Sequence, residues 1–89
     1  MNPELSSRIR RQLQAAFRPL ELDIRDDGAL HAGHAHAGEG HYHVRIVSMA
    51  FATQPQLQRH RMVYAALADL LKTDVHALSI KALAPGESP

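Results

Sequence analysis

The 89-residue sequence contains no cysteine, and this single absence excludes several kinds of site. A chain without thiols cannot form a disulfide, a zinc site made of cysteines or a thiol nucleophile. The absence of cysteine is also consistent with a reducing compartment, and we expect a cytoplasmic protein.

Tryptophan is absent too, and long hydrophobic runs are missing. With two tyrosines and two phenylalanines, the chain has few rings on which nucleic-acid bases could stack. No apolar run approaches the roughly 20 residues that cross a bilayer, so we expect no membrane association. Ten basic and nine acidic residues give a net charge of +1, which provides no strong overall attraction to nucleic acid.

Histidine is the one residue type in excess, with seven copies. The neutral imidazole binds Fe, Zn, Cu and Ni, and it titrates near neutral pH. Residues 29–40 consist of Ala, Gly and His with one Leu and one Glu, and their lack of periodicity predicts a flexible loop. A metal could be bound if folding brings this loop to the start of a strand, which gives six candidates: His31, His34, His36, His41, His43 and His76.

The first 25 residues change from helical to strand periodicity. Asn2-Pro3 is typical of a helix start, and Arg18-Pro19 is typical of a helix end. Between them an apolar stripe recurs every four residues, at Leu5, Ile9, Leu13 and Phe17. A period of two then predicts a strand whose buried face carries Leu20, Leu22 and Ile24.

The rest of the chain predicts two more strands around a helical region. Residues 41–48 alternate, so that the predicted outward face carries His41, His43 and Arg45. One helix, or a short turn and a longer helix, follows with an apolar stripe formed by Leu57, Val63, Tyr64, Leu67, Leu70 and Leu71. Residues 76–82 alternate again and predict the last strand.

These elements predict a single α+β domain over residues 1–84, in the order α-β-β-α-α-β, followed by a flexible tail over residues 85–89. Each element has one apolar face to bury, so we expect the helices to cover one side of a three-stranded sheet. We expect no enzymatic activity, because the sequence contains no nucleophile triad order, paired-carboxylate site, phosphate-binding glycine loop or cofactor fingerprint.

Three blocks of the sequence resemble the BolA family. Gly40 to Ser48, followed by Phe51, is similar to the family strand of the type His-aromatic-x-Val-x-Ile-Val-Ser. Residues 58–64, Gln-Arg-His-Arg-Met-Val-Tyr, are close to the most recognisable family segment, and residues 75–80, with Pro85 behind them, match a third. Thr53 departs from the pattern, because the family usually has a glycine two residues after the phenylalanine.

The resemblance implies a fold like that of class II KH domains, with a mixed sheet. It also implies a 2Fe-2S cluster shared with a monothiol glutaredoxin and its bound glutathione, and present only in that heterodimer. The implied role is iron-sulfur trafficking or the regulation of iron, redox or stress responses. Alone, the chain is expected to be a monomer or a weak homodimer.

The resemblance implies two iron ligands from this chain. One is His76, at the start of the last strand, and the other is a histidine of the loop between the first two strands. Gly33-His34-Ala35 best matches the loop pattern, so His34 is preferred, with His31 and His36 as alternatives. His41 and His43 are expected to be solvated, and His60 to stabilise a helix end or bind a partner.

Two other functions remain open at the level of sequence. Bacterial members of the family have been regarded as transcriptional regulators, and a DNA-binding surface would use Arg59, His60, Arg61 and Lys81. The Gly-x-x-Gly loop of nucleic-acid-binding KH domains is not evident, since Gly33 and Gly38 lack that spacing. Alternatively, the histidine loop chelates Zn, Cu or Ni without a partner.

Overall fold

The computed structural model describes residues 3–26, 41–75 and 77–87, and the predicted α-β-β-α-α-β order is confirmed. A single 3-10 turn, Met49–Phe51, separates the second strand from the second helix. No helix among these described residues is both long and apolar enough to span a membrane. The elements are α1 Pro3–Phe17, β1 Glu21–Asp26, β2 His41–Val47, α2 Gln56–Ala66, α3 Ala68–Thr73 and β3 Ala77–Leu83.

The three strands form a mixed sheet, as predicted, and their order in the sheet is β1-β2-β3. β1 pairs with β2 in antiparallel orientation, and β3 pairs with β2 in parallel orientation. A parallel pair requires a long crossover connection, which here contains α2 and α3. The end of β1 and the starts of β2 and β3 consequently lie at one end of the sheet.

The core lies between the helices and one face of the sheet. The predicted α1 stripe is confirmed, since Ile9 and Leu13 are completely buried and Leu5 and Phe17 nearly so. The inward side chains of β2 meet this stripe, and burying each large apolar side chain contributes roughly 1.5–3 kcal/mol. The buried members of β2 are Tyr42, Val44 and Ile46.

Two predicted core leucines are exposed instead, and both predictions are wrong. Leu20 is 67% exposed because β1 begins only at Glu21. Leu57 is 63% exposed because the buried face of α2 is formed by Arg59 and Val63. Arg59 therefore occupies a buried position on α2, which a pattern of apolar residues could not predict.

Ser48 organises the end of β2. Its side chain is buried, and its Oγ donates to the Phe17 carbonyl at 2.6 Å. The same Oγ accepts from the Ala50 N–H at 3.1 Å, which caps the 3-10 turn. This turn places the Phe51 ring in the core, with its centroid 5.1 Å from that of Phe17.

Thr53 adopts a left-handed backbone conformation, with φ of 67°. This is the position at which the resembled family usually carries glycine. A β-branched residue is disfavoured at positive φ because its Cβ crowds the backbone, whereas glycine adopts this conformation without that cost. Thr53 therefore replaces the usual family glycine at a position whose backbone conformation favours glycine.

The chain after β3, where the sequence predicts a flexible tail over residues 85–89, makes contacts with the end of that strand. The Ala84 N–H donates to the Glu87 carboxylate at 2.9 Å, and the Glu87 N–H donates to the Ala84 carbonyl at 3.1 Å. Residues 85–87 thus form a turn attached to the end of β3. Residues 88 and 89 lie outside the described residues.

Candidate functional site

The predicted iron ligands lie outside the described residues. This holds for His76 and for all three loop candidates, His31, His34 and His36. The residues on either side of them are described, and they show where the ligand-bearing segments join the fold. Asp26 and His41 flank residues 27–40, and Val75 and Ala77 flank His76.

Both ligand-bearing segments join the sheet at the same end. Asp26, the last residue of β1, pairs with Tyr42, and His41, the first residue of β2, pairs with Ala77. Neighbouring strands lie about 4.8 Å apart, so the attachment points are close in space. We call this the histidine end of the sheet, defined by Asp26, His41, Tyr42, Val75 and Ala77.

The attachment points at the histidine end are fixed by backbone contacts. Val75 is buried, and its N–H donates to the Leu70 carbonyl at 2.9 Å, while Ala77 is the first residue of β3. Tyr42 is also buried and forms side-chain hydrogen bonds with Ser6 and Asp26. Burial, followed by the nearby Asp26 carboxylate, raises the pKa of Tyr42, so its hydroxyl keeps its proton.

His41 and His43 lie on the face of the sheet that carries no helix, which confirms their predicted outward orientation. His41 is exposed and His43 is partly buried. Within residues 3–26, 41–75 and 77–87, no three His, Asp or Glu side chains are grouped in a way that could hold a metal.

Arg59, one of the predicted DNA-binding residues, lies inside the protein with 5% exposure. Its Nε donates to the Gln54 carbonyl at 2.7 Å, and its Nη1 donates to the Ala82 carbonyl at 3.0 Å. Nη1 and Nη2 also bind the two Glu87 carboxylate oxygens, at 2.6 and 3.0 Å. All of these bonds are internal, so Arg59 does not lie on the outer surface where the predicted DNA-binding role would need it.

The pair formed by Arg59 and Glu87 joins α2 to the turn after β3. Hydrogen bonds from Arg59 and then from the Ala84 N–H lower the pKa of Glu87 from 4.5 to about 2. The hydrogen bond with Glu87 in turn raises the pKa of Arg59. We call this pair the Arg59–Glu87 clamp, and we call the end of the sheet where β2 and β3 finish the clamp end.

The other predicted DNA-binding residues do not form one surface. His60 is partly buried and Arg61 is exposed, and both belong to α2. Lys81 is exposed on β3, where its side chain projects from the face opposite the helices. Because Arg59 is buried and Lys81 lies on the opposite face of the sheet, only His60 and Arg61 of the four predicted residues lie together on the helical layer.

Sequence reasoning missed a groove on this helix-free face, which we call the open face. The groove has a volume of about 750 Å³ and is lined by side chains from all three strands and by Arg10 of α1. The strand alternation already assigned its polar strand residues to the outward faces. Only the strand order and register, which sequence did not give, bring together Arg25, His43, Arg45, Ser79 and Lys81.

Comparison with known proteins adds a family relationship to this geometry. A family model described as BolA-like protein matches residues 13–87. The chain is 44% identical over 89 residues to Protein BOLA1, chloroplastic, of Arabidopsis thaliana, covering 94% of this chain and 56% of that protein. It is 41% identical over 76 residues to the DNA-binding transcriptional regulator BolA of Escherichia coli (strain K12), covering 85% of this chain and 71% of that protein.

A solved structure matches as well. The BolA domain of SufE1 from Arabidopsis thaliana superposes with a TM-score of 0.86 at 42% identity, covering 99% of this chain and 100% of that domain. The chain spans 24% and 56% of the lengths of two plant relatives that it matches at 44% identity. The match to those relatives thus concerns one part of each.

Proposed function

This chain belongs to the BolA family, and from that premise we propose that it shares a 2Fe-2S cluster with a monothiol glutaredoxin. His76 and one loop histidine, with His34 preferred, provide the ligands from this side. The cluster, when bound, supplies electron transfer and a transferable iron-sulfur unit. The role is iron-sulfur trafficking or regulation of iron, redox or stress responses.

One observation carries the proposal: both ligand-bearing segments begin and end at the histidine end of the sheet. His41 and Ala77 are direct neighbours across β2 and β3. A ligand one residue before Ala77 and a second in the segment that precedes His41 therefore start from adjacent strands. The residues on both sides of residue 76 are fixed, Val75 by its hydrogen bond to Leu70 and Ala77 by its place in β3.

The donor set of the chain also fits a shared site rather than a complete one. A protein-bound 2Fe-2S cluster takes four ligands, and this chain offers imidazoles but no thiolate. The remaining ligands must contain sulfur from another molecule, which a glutaredoxin cysteine and a bound glutathione supply. Imidazole ligation raises the reduction potential relative to all-thiolate ligation, and protonation of the histidines at low pH releases the metal.

The test is reconstitution of the chain with a monothiol glutaredoxin and glutathione, followed by visible absorption and circular dichroism. His76→Ala should abolish the spectrum of the mixed complex, whereas His41→Ala, the matched control at the same end, should leave it unchanged. Far-UV circular dichroism should show that both variants fold. A mixed-complex spectrum that survives His76→Ala would remove His76 from the ligand set.

The second ligand is tested by replacing each loop histidine in turn. The proposal expects His34→Ala to remove the mixed spectrum, and His31→Ala and His36→Ala to retain it. Calorimetric titration of the chain alone with Zn²⁺, Cu²⁺ and Ni²⁺ provides the contrast, because a shared site binds weakly until the partner is present. Tight binding of one of these ions to the isolated chain would favour a self-contained metal site instead.

A second candidate function is DNA binding, and the similarity to the Escherichia coli regulator favours it. The polar α2 side chains available to DNA are His60 and Arg61, of which Arg61 is the permanent cation, since Arg59 is held inside the fold. So few charges predict weak binding with only a shallow salt dependence, because the slope scales with the number of phosphates that are neutralised. Fluorescence anisotropy with duplex DNA should then show salt-dependent, sequence-selective binding that Arg61→Ala weakens. No binding at low salt would eliminate this candidate.

Neither candidate is enzymatic. The matched family model and the named relatives are BolA-like proteins and a transcriptional regulator, and none of these descriptions is that of a catalytic family.

A further inference from the structure

The open face of the sheet presents a small grid of polar side chains. One cross-strand row contains Asp23, Arg45 and Lys81, and the next contains Arg25, His43 and Ser79. Neighbours in a row are about 4.8 Å apart, and the two rows are about 7 Å apart, because they are two residues apart along each strand. Five of the six positions carry hydrogen-bond donors, and Asp23 carries the one carboxylate.

The grid concentrates positive charge in a nearly neutral chain. The groove over it is lined by four permanent cations and one carboxylate, whereas the whole sequence has a net charge of +1. Arg10 adds the fourth cation from α1, and its Nη1 donates to the Leu22 carbonyl on β1 at 3.4 Å. Concave surfaces of one sign focus the field and attract ligands of the opposite sign.

We propose that this groove binds a soluble small molecule carrying two or more phosphate groups. Guanidinium, ammonium, imidazole and hydroxyl groups are the side-chain donors that phosphate oxygens accept from, and arginine can bind them in a bidentate manner. The cations extend from Arg10 beside β1 to Lys81 on β3, which is farther than one phosphate can reach. Two linked phosphates can contact both rows at once.

The lining of the groove favours such a molecule over a nucleic-acid strand. No Phe, Tyr or Trp is among the described residues that line it, and His43 supplies the one aromatic ring. Single-stranded nucleic acids are normally bound by stacking their bases on aromatic rings beside the cations. A compact polyphosphate needs only the cations and neutral donors that this face provides.

Arg45 is held in a position from which it can contact a ligand. Its Nη1 binds Glu21 at 2.9 Å and lies 3.7 Å from Asp23. Both carboxylates are well exposed, so these ion pairs are weak and a stronger anion can compete with them. Lys81 forms no ion pair with any residue in the described part of the chain, so its ammonium is available to a ligand.

Isothermal titration of the chain alone with pyrophosphate tests the proposal. Lys81→Ala and Arg45→Gln should each weaken binding about tenfold, because each removes a charge-assisted contact. Lys72→Ala, an exposed lysine of α3 away from the open face, is the matched control and should leave binding unchanged. Equal weakening by Lys72→Ala would show unspecific charge attraction and overturn the site.

Two further arms sharpen the result. Asp23→Asn removes the one carboxylate in the grid and should strengthen pyrophosphate binding, an outcome that misfolding could not produce. Inorganic phosphate should bind more weakly than pyrophosphate. Binding of a single-stranded oligonucleotide without binding of pyrophosphate would overturn the proposal. Because no glutaredoxin or cluster is used, failure here leaves the proposed cluster sharing untouched.

Discussion

The two ends of the sheet use their polar residues differently. At the clamp end, buried Ser48 and Arg59 bind backbone carbonyls, and Glu87 holds the turn after β3. At the histidine end, His41 is exposed and the backbone around residue 76 is fixed on both sides. The polar residues of the first end satisfy the protein's own hydrogen bonds, and the second end holds the residues that flank the proposed iron ligands.

This difference shows that residue type alone does not reveal a functional side chain. Arg59 and Arg61 are two residues apart on one helix, yet one is buried and the other exposed. Arginine binds phosphate well because its guanidinium presents several donors in a fixed geometry. The same donors allow Arg59 to bind two internal carbonyls and a carboxylate. The polar residues at the clamp end consequently serve to stabilise the fold.

The largest expected effect comes from breaking the clamp. Arg59→Met should lower Tm by at least about 10 °C, because it leaves the Gln54 and Ala82 carbonyls without this donor and frees Glu87. Arg61→Met, the same change at an exposed position, should leave Tm nearly unchanged. Thermal unfolding followed by circular dichroism measures both.

The difference between the two ends of the sheet leads to a second prediction for Arg59→Met. Below its lowered Tm, Arg59→Met should still form the mixed cluster complex, since the clamp lies at the other end of the sheet. Loss of the cluster spectrum in folded Arg59→Met would contradict this division between the two ends.

A smaller effect is expected from Glu87→Gln, and it should depend on pH. The pKa of Glu87 is about 2 in the folded protein against 4.5 as its ordinary value, so the charged carboxylate stabilises the fold fully above about pH 4.5. That stabilisation is lost as the pH falls through about 2. The Tm of the native chain should exceed that of Glu87→Gln near pH 7, and the two values should converge between pH 4.5 and 2.

The smallest effect is expected at Thr53, a strained position near the clamp end. Thr53→Gly should stabilise the protein by about 0.5–1 kcal/mol, because relief of the left-handed strain exceeds the entropy that glycine adds to the unfolded chain. Thr53→Ala keeps the Cβ and is the control, for which no comparable gain is expected. Chemical denaturation measures the difference. A destabilised glycine variant would mean that the threonine side chain makes a favourable contact.

Most of the fold could be predicted from periodicity. The α1 stripe and the alternation of β2 depend on a repeating local pattern, and both are confirmed. The errors occur where a single tertiary contact decides the outcome. Leu57 is exposed because Arg59 takes the inward position beside it.

Less of the candidate site could be predicted. The donor chemistry follows from the histidine count and the missing cysteines. His34 belongs to a segment without local periodicity, His76 lies outside the described residues, and the roles of both stay predictions. The grid on the open face depends on register between distant strands. No local pattern in the sequence links Arg25 of β1 to Lys81 of β3.

The contacts that α2 makes with β3 also affect how the molecule behaves beside its own copies. Arg59 binds the Ala82 carbonyl, and the Tyr64 hydroxyl donates to the Leu78 carbonyl at 3.2 Å. Side chains therefore occupy carbonyl acceptors along β3, which is an edge strand of the sheet. Unoccupied acceptors on such a strand invite pairing with a second chain, which leads to aggregation. By occupying the Ala82 carbonyl, Arg59 therefore also protects this edge strand against pairing with a second chain.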